Sequence, residues 1–122
     1  MDIALWVVAA LLAVVFLGAG VTKLMLPKDA LYEKKMTYVE DFSDGQMKGI
    51  GALELLGALG LILPAFVDGL EWLVPLAATG LFLVMVGAVL THIRRKEAFV
   101  PPLVLGLLAA FVAIGRFWIE PL

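Results

Sequence analysis

The stretch Ile3-Ala4-Leu5-Trp6-Val7-Val8-Ala9-Ala10-Leu11-Leu12-Ala13-Val14-Val15-Phe16-Leu17-Gly18-Ala19-Gly20-Val21-Thr22 carries no charge, and Lys23 ends it. A bilayer core of about 30 Å is crossed by roughly 20 apolar residues in a helix. The run meets that length. It does not alternate polar with apolar residues, as a barrel strand would. It is also a poor signal peptide. It lacks a basic leading region, its apolar stretch is too long, and Lys23-Leu24-Met25-Leu26 stands where small cleavage-site residues would be. It reads as a retained transmembrane helix.

Three more runs follow the same logic. Lys48 to Pro64 is apolar except for Glu54, Trp72 to Thr91 is uncharged, and Ala98 to Gly115 is uncharged and ends at Arg116. The expectation is an all-α membrane protein forming one domain over residues 1–122. Its architecture is an antiparallel bundle of four transmembrane helices, at about residues 3–26, 46–65, 71–93 and 101–119. Ser43-x-x-Gln46 has the form of a capping box at the start of the second helix, with Asp44 adding charge where the helix dipole favours it. Pro64 closes that helix. Pro101-Pro102 opens the fourth, where a missing N–H costs nothing. The connections at 65–71 and 94–100 are short, so the last three helices are expected to be antiparallel neighbours. Residues 27–47 form the only long connection. Within it Leu31, Tyr38, Val39 and Phe42 recur at near-helical spacing, which leaves open a helix lying in the membrane interface or an irregular loop.

Composition sets the solvent. The chain has 122 residues, 63% hydrophobic and 16% charged, with mean hydropathy +1.06. Soluble domains average about 45–50% apolar and about 25% charged. A domain this small buries too little of its surface to hide such an excess from water. A net charge of −2 speaks against nucleic acid as a partner. The absence of cysteine excludes disulfides, Cys-ligated metal and thiol redox chemistry.

Charge also sets an orientation. The first loop and its flanks hold Lys23, Lys28, Lys34, Lys35 and Lys48, and the third holds Arg94, Arg95 and Lys96. The opposite side has Arg116. The positive-inside rule puts loops 1 and 3 in the cytoplasm and both termini outside. Trp6, Trp72 and Trp118 then share the outer level. They read as interface anchors, and Arg116 as a snorkelling anchor near Asp68, Glu71 and Glu120.

The polar residues fall on faces of small residues. Glu54 shares its face with Gly51, Gly57 and Ala58, and Lys23 with Gly20, Ala19 and Ala13. Arg116 continues a face of Ala113, Ala109 and Gly106. His92 follows a stripe of Ala77, Gly80 and Gly87. Small residues allow close helix approach in lipid, so Gly20, Gly51, Gly57, Gly80, Gly87 and Gly106 are read as helix-packing positions. Lys23, Glu54 and His92 share one level near the cytoplasmic side. They form the candidate intramembrane polar site. A Lys23–Glu54 pair that fixes packing is the plainer reading; a proton or ligand site is the sharper one. A lone His92 beside basic residues reads as interfacial rather than as a haem or metal ligand. No catalytic constellation and no metal site emerges from the sequence.

Two stretches carry a family resemblance. Phe16-Leu17-Gly18-Ala19-Gly20-Val21-Thr22-Lys23-Leu24 ends the first helix with a lysine. Lys48-Gly49-Ile50-Gly51-Ala52-Leu53-Glu54 sets a glutamate inside the second, followed by Gly60-Leu61-Ile62-Leu63-Pro64. Together with helix order, helix lengths and the long first loop, these resemble the DoxX-like family of small four-helix membrane proteins. The resemblance implies a plasma-membrane bundle that acts as an accessory subunit rather than an enzyme. It also implies links to quinone-linked oxidation or membrane oxidoreductase assemblies, and for distant relatives to channel assembly. Lys23 and Glu54 match the family's polar pair.

Three functions compete on this basis. The first is a non-catalytic bundle that binds another membrane protein or itself. The second is a quinone- or lipid-binding subunit with its site near Glu54 and His92. The third is a small proton-coupled transporter working as a homodimer, similar in size to the small multidrug resistance transporters. Those place their carboxylate in the first helix, whereas Glu54 is in the second. No cofactor is expected outright, beyond a quinone or lipid ligand under the second reading. The partners expected are membrane lipids and another membrane protein or a second copy.

Overall fold

The computed structural model describes residues 1–33 and 37–121. Its elements are α1 (Asp2–Met25), α2 (Lys28–Glu33), a 3-10 turn at Thr37–Asp41, α3 (Asp44–Ile62), α4 (Leu73–Arg94) and α5 (Val100–Ile114). A 3-10 turn at Leu63–Ala65 extends α3, and a π turn at Gly115–Ile119 extends α5. Among the described residues there is no strand, and four helices are long and apolar enough to cross a membrane. The chain is a multi-pass membrane protein built as a four-helix bundle.

The ends of these helices follow from local chemistry. The Ser43 hydroxyl accepts from the Gln46 N–H at 3.0 Å, and Gln46 Oε1 accepts from the Ser43 N–H at 2.8 Å. This reciprocal box satisfies two N–H groups that a helix start leaves open. Lys48 Nζ donates to the Leu24 carbonyl at 3.0 Å, covering an open acceptor at the end of α1. Pro101 and Pro102 stand in the first turn of α5.

The four long helices form a ring. α1 packs most extensively on α3, α3 on α4 and α4 on α5, while α1 and α5 touch more lightly and close it. Alanines 9, 13, 58, 78 and 109 interleave with Leu12, Phe16, Leu61, Leu81 and Val112 in the core. The outside is apolar too: Ile3 is 79% exposed and Leu83 62%. Such a surface is stable only against lipid.

From the sequence, the first loop is open between an interfacial helix and an irregular loop. It is two short helical pieces, and their apolar residues turn inward. Leu31, Val39 and Met47 are buried together, with Leu26, Phe42 and Ile50 packed on them. This small core sits over one end of the bundle, against the ends of α1 and α3. Lys34 and Lys35, counted in the charge of this loop, lie outside the described residues.

Candidate functional site

The site begins with two glycines. Gly20 of α1 and Gly51 of α3 face each other so closely that a Cβ on Gly20 would lie 2.7 Å from the Gly51 carbonyl oxygen and 2.8 Å from the Leu55 nitrogen. Only glycine fits there, because the clash is with backbone. Lys23 follows Gly20 by three residues, and Glu54 follows Gly51 by three. Residues three apart share a helix face. The close approach therefore delivers the two side chains to each other. Lys23 Nζ lies 2.7 Å from Glu54 Oε1, with the side chains 7% and 3% exposed. A carboxylate inside a span is costly unless paired.

Two more polar groups reach the same place. Tyr38, from the 3-10 turn of the first loop, interacts through its phenol with Lys23 and Glu54. Burial pushes that phenol up from its ordinary range, and the neighbouring Lys23 pulls it part of the way back. His92, from the last turn of α4, meets the Tyr38 ring edge-on at 5.2 Å. Its Nδ1 lies 3.2 Å from Glu97 Oε1. Arg95 joins Glu97 at 3.1 Å to Glu40 at 2.9 Å, and so ties the first loop to the third.

These side chains border a cavity of about 520 Å³ between α1, α3, α4, α5 and the first loop. Lys23, Tyr38, Glu54 and His92 gather at one end. The remaining wall is apolar, with Phe16, Phe42, Met85 and Leu105 among its members. Val15 and Leu83 belong to the wall and are 45% and 62% exposed, so the cavity reaches the lipid-facing side of the bundle. Thr91 is also a wall residue, but its hydroxyl donates to the Gly87 carbonyl at 2.8 Å.

The structure thus brings Lys23, Glu54 and His92 to one cavity. His92 is a wall residue of that cavity. Sequence reasoning missed Tyr38, whose apolar neighbours Val39 and Phe42 suggested a membrane-surface role. The packing glycines divide. Gly57 meets Leu81, and Gly106 meets Met85 at 3.2 Å from an added Cβ. Gly80 and Gly87 meet nothing within 4 Å, so they are not packed against another helix of this chain. Gly80 is exposed on the outside of α4, Gly87 borders the cavity, and Ala77 of the same stripe packs on Gly60 of α3.

Arg116 also departs from expectation. Its side chain is 1% exposed and does not snorkel. Its Nη1 donates to Asp2 Oδ1 at 2.7 Å and to the Glu120 carbonyl at 2.9 Å, and its guanidinium lies 5.2 Å from the centre of the Trp6 ring. Asp2, rather than Asp68 or Glu71, is its partner because α1 and α5 meet at this end. Trp6 is accordingly half-buried beneath a cation. Trp72 and Trp118 are exposed, at 56% and 75%.

No group of three or more metal-ligating side chains occurs among the described residues. A family model, described as the DoxX-like family, matches residues 7–114. No curated protein and no solved structure matches the chain.

Proposed function

The chain belongs to the DoxX-like family, and from that premise we propose that it is a non-catalytic membrane protein whose cavity holds an amphiphile from the bilayer, a quinone or a lipid. One observation carries this reading: a cavity of about 520 Å³ with its polar side chains at one end, an apolar remainder and an opening towards lipid. Small-molecule sites typically span about 300–1,000 Å³ and pair apolar walls with a few convergent polar groups. We orient the chain in the plasma membrane by its basic loops, with both termini outside. The polar end of the cavity then lies towards the cytoplasm. The ligand enters sideways and its head stops at the polar end, among Lys23, Tyr38, Glu54 and His92.

A second reading, an accessory subunit that assembles with another membrane protein or a second copy, is favoured by Gly80. It is exposed on α4 with open space beside it, so a neighbouring helix can approach closely there. One experiment separates the two. The chain is purified from its native membrane in mild detergent and analysed by native mass spectrometry. A bound quinone or lipid, lost on Glu54→Leu with Lys23→Met, supports the cavity reading. Repeated recovery of the empty chain with one constant protein partner supports assembly and counts against the cavity.

A further inference from the structure

The chemistry of the ligand's head can be read from charge and hydrogen-bond accounting at the polar end. Among the described residues, the titratable groups lining the cavity are Lys23 from α1, Tyr38 from the first loop, Glu54 from α3 and His92 from α4. α5 contributes only Pro101, Pro102 and Leu105. Lys23 and Glu54, at 2.7 Å, sum to zero whichever of them holds the proton. A permanently charged head, of either sign, would enter this apolar site without a counter-charge, which is strongly unfavourable. The site therefore suits an uncharged head.

The other polar groups there are engaged with one another. Glu54 Oε1 lies against Lys23 Nζ as its charge partner without hydrogen-bond alignment, the Tyr38 phenol engages Lys23, and Thr91 donates to the Gly87 carbonyl. His92 is different. Its Nδ1 and the facing Glu97 Oε1 are both shielded from water and 3.2 Å apart. The contact lacks hydrogen-bond alignment, but the charge of a carboxylate 3.2 Å from that nitrogen favours the ring proton there, which leaves the other nitrogen, Nε2, with a lone pair. Nε2 is then an acceptor on the opposite edge of a ring that lines the cavity.

The backbone is shaped to hold Glu97 in place. After α4 the chain makes a Schellman turn, with the Lys96 N–H bonded to the Ile93 carbonyl at 3.0 Å and the Glu97 N–H to the His92 carbonyl at 2.8 Å. Lys96 takes the left-handed position, φ 57°, where glycine is usual. This turn carries the Glu97 carboxylate back to the imidazole, and Arg95 braces it at 3.1 Å.

We propose that the cavity takes an uncharged amphiphile with a hydroxyl head, that this hydroxyl donates to Nε2 of His92, and that Glu97 is the positioning residue keeping Nε2 an acceptor. The proposal rests on reading the cavity as an amphiphile site and narrows its occupant to a quinol or a lipid with a free hydroxyl, since a quinone has only acceptors. His92 is the sole histidine, so histidine labelled with nitrogen-15 reports this ring alone. The full chain, in phosphatidylcholine nanodiscs at pH 8, is examined by NMR and titrated with 4-octylphenol, 4-octylanisole and 4-octylbenzoate. The expected result is an Nδ1-protonated ring whose Nε2 signal moves with the phenol. The phenol binds about tenfold more tightly than its methyl ether, the worth of one hydrogen bond, and the benzoate binds more weakly than either. Glu97→Gln raises the Nε2-protonated fraction and brings the phenol-to-ether ratio towards one.

An Nε2-protonated ring in the unsubstituted chain overturns the proposal without need of any variant. So does equal binding of phenol and ether, or benzoate binding as tightly as the phenol. Those outcomes leave the amphiphile reading standing. Failure of all three probes to bind the folded chain defeats both.

Discussion

The bundle carries two cation–carboxylate contacts of the same length, 2.7 Å, one towards each end. Arg116–Asp2 joins α5 to α1 where the termini meet. There Leu5 packs on Gly115, Trp6 lies beneath the guanidinium, and side chains fill the space. Lys23–Glu54 joins α1 to α3 at the other end. There Gly20 and Gly51 draw α1 onto α3, the first loop covers the top, and a cavity stays open beside the pair. Exposure differs as well. Asp2 is 52% exposed, whereas both Lys23 and Glu54 are nearly closed off from solvent. The length of an ion pair therefore says little about its role. What surrounds it decides whether it closes a structure or borders a site.

The comparison breaks most sharply at Glu54. Replacing it with alanine leaves Lys23 buried without a counter-charge, and the expected loss of stability is about 3–5 kcal/mol. Thermal unfolding in detergent measures it. Lys23→Met with Glu54→Leu restores most of that stability, since a buried pair is replaceable by apolar residues of similar size. If the double variant stays as unstable as Glu54→Ala, the pair is more than a compensated charge.

Gly20→Ala comes next. Its Cβ would strike the α3 backbone, which cannot move aside as a side chain can. An overpacking cost of about 1–3 kcal/mol is expected. A wild-type melting temperature for this variant would show that α1 and α3 do not depend on the close approach.

Tyr38 sharpens the contrast through pH. Its phenol is held above its ordinary range, chiefly by burial. The fold therefore favours the neutral form. That stability is fully present below the ordinary phenol range and is lost as pH rises through the raised one. Alkaline titration of tyrosinate absorbance near 295 nm should show a late step that disappears in Tyr38→Phe. An unchanged titration would place the phenol in water.

The smallest effect belongs to the other end. Asp2→Asn removes the charge but leaves the buried Arg116 an amide oxygen, the Glu120 carbonyl and the Trp6 ring, and a loss of about 1–2 kcal/mol is expected. A loss equal to that of Glu54→Ala would erase the distinction between the two ends.

Much of this was legible from residue order alone. Helix number follows from four uncharged runs of spanning length. The start of α3 follows from Ser43 and Gln46, whose bonds are local. The meeting of Lys23 with Glu54 was within reach because each lies three residues beyond a glycine on its own helix. Spacing along a helix defines a face. It does not say which helix that face meets. Arg116 reads as a snorkelling anchor near Asp68, Glu71 and Glu120 for this reason, and Gly80 and Gly87 as helix-packing positions although no helix of this chain meets them. Tyr38 was harder still. Its position depends on the first loop folding back, through Leu31, Val39 and Met47, onto residues distant in sequence.

The sequence by itself determined that this chain lives in lipid, crosses it with four helices, and carries polar groups on small-residue faces. Those properties come from hydropathy and from contacts within about one turn. Only the tertiary structure decided that one polar cluster borders a cavity while the other is packed shut. That outcome depends on how closely neighbouring helices approach at each end. At one end Gly20 and Gly51 bring α1 against α3 and the space beside them stays open, whereas at the other Leu5 fills the gap at Gly115.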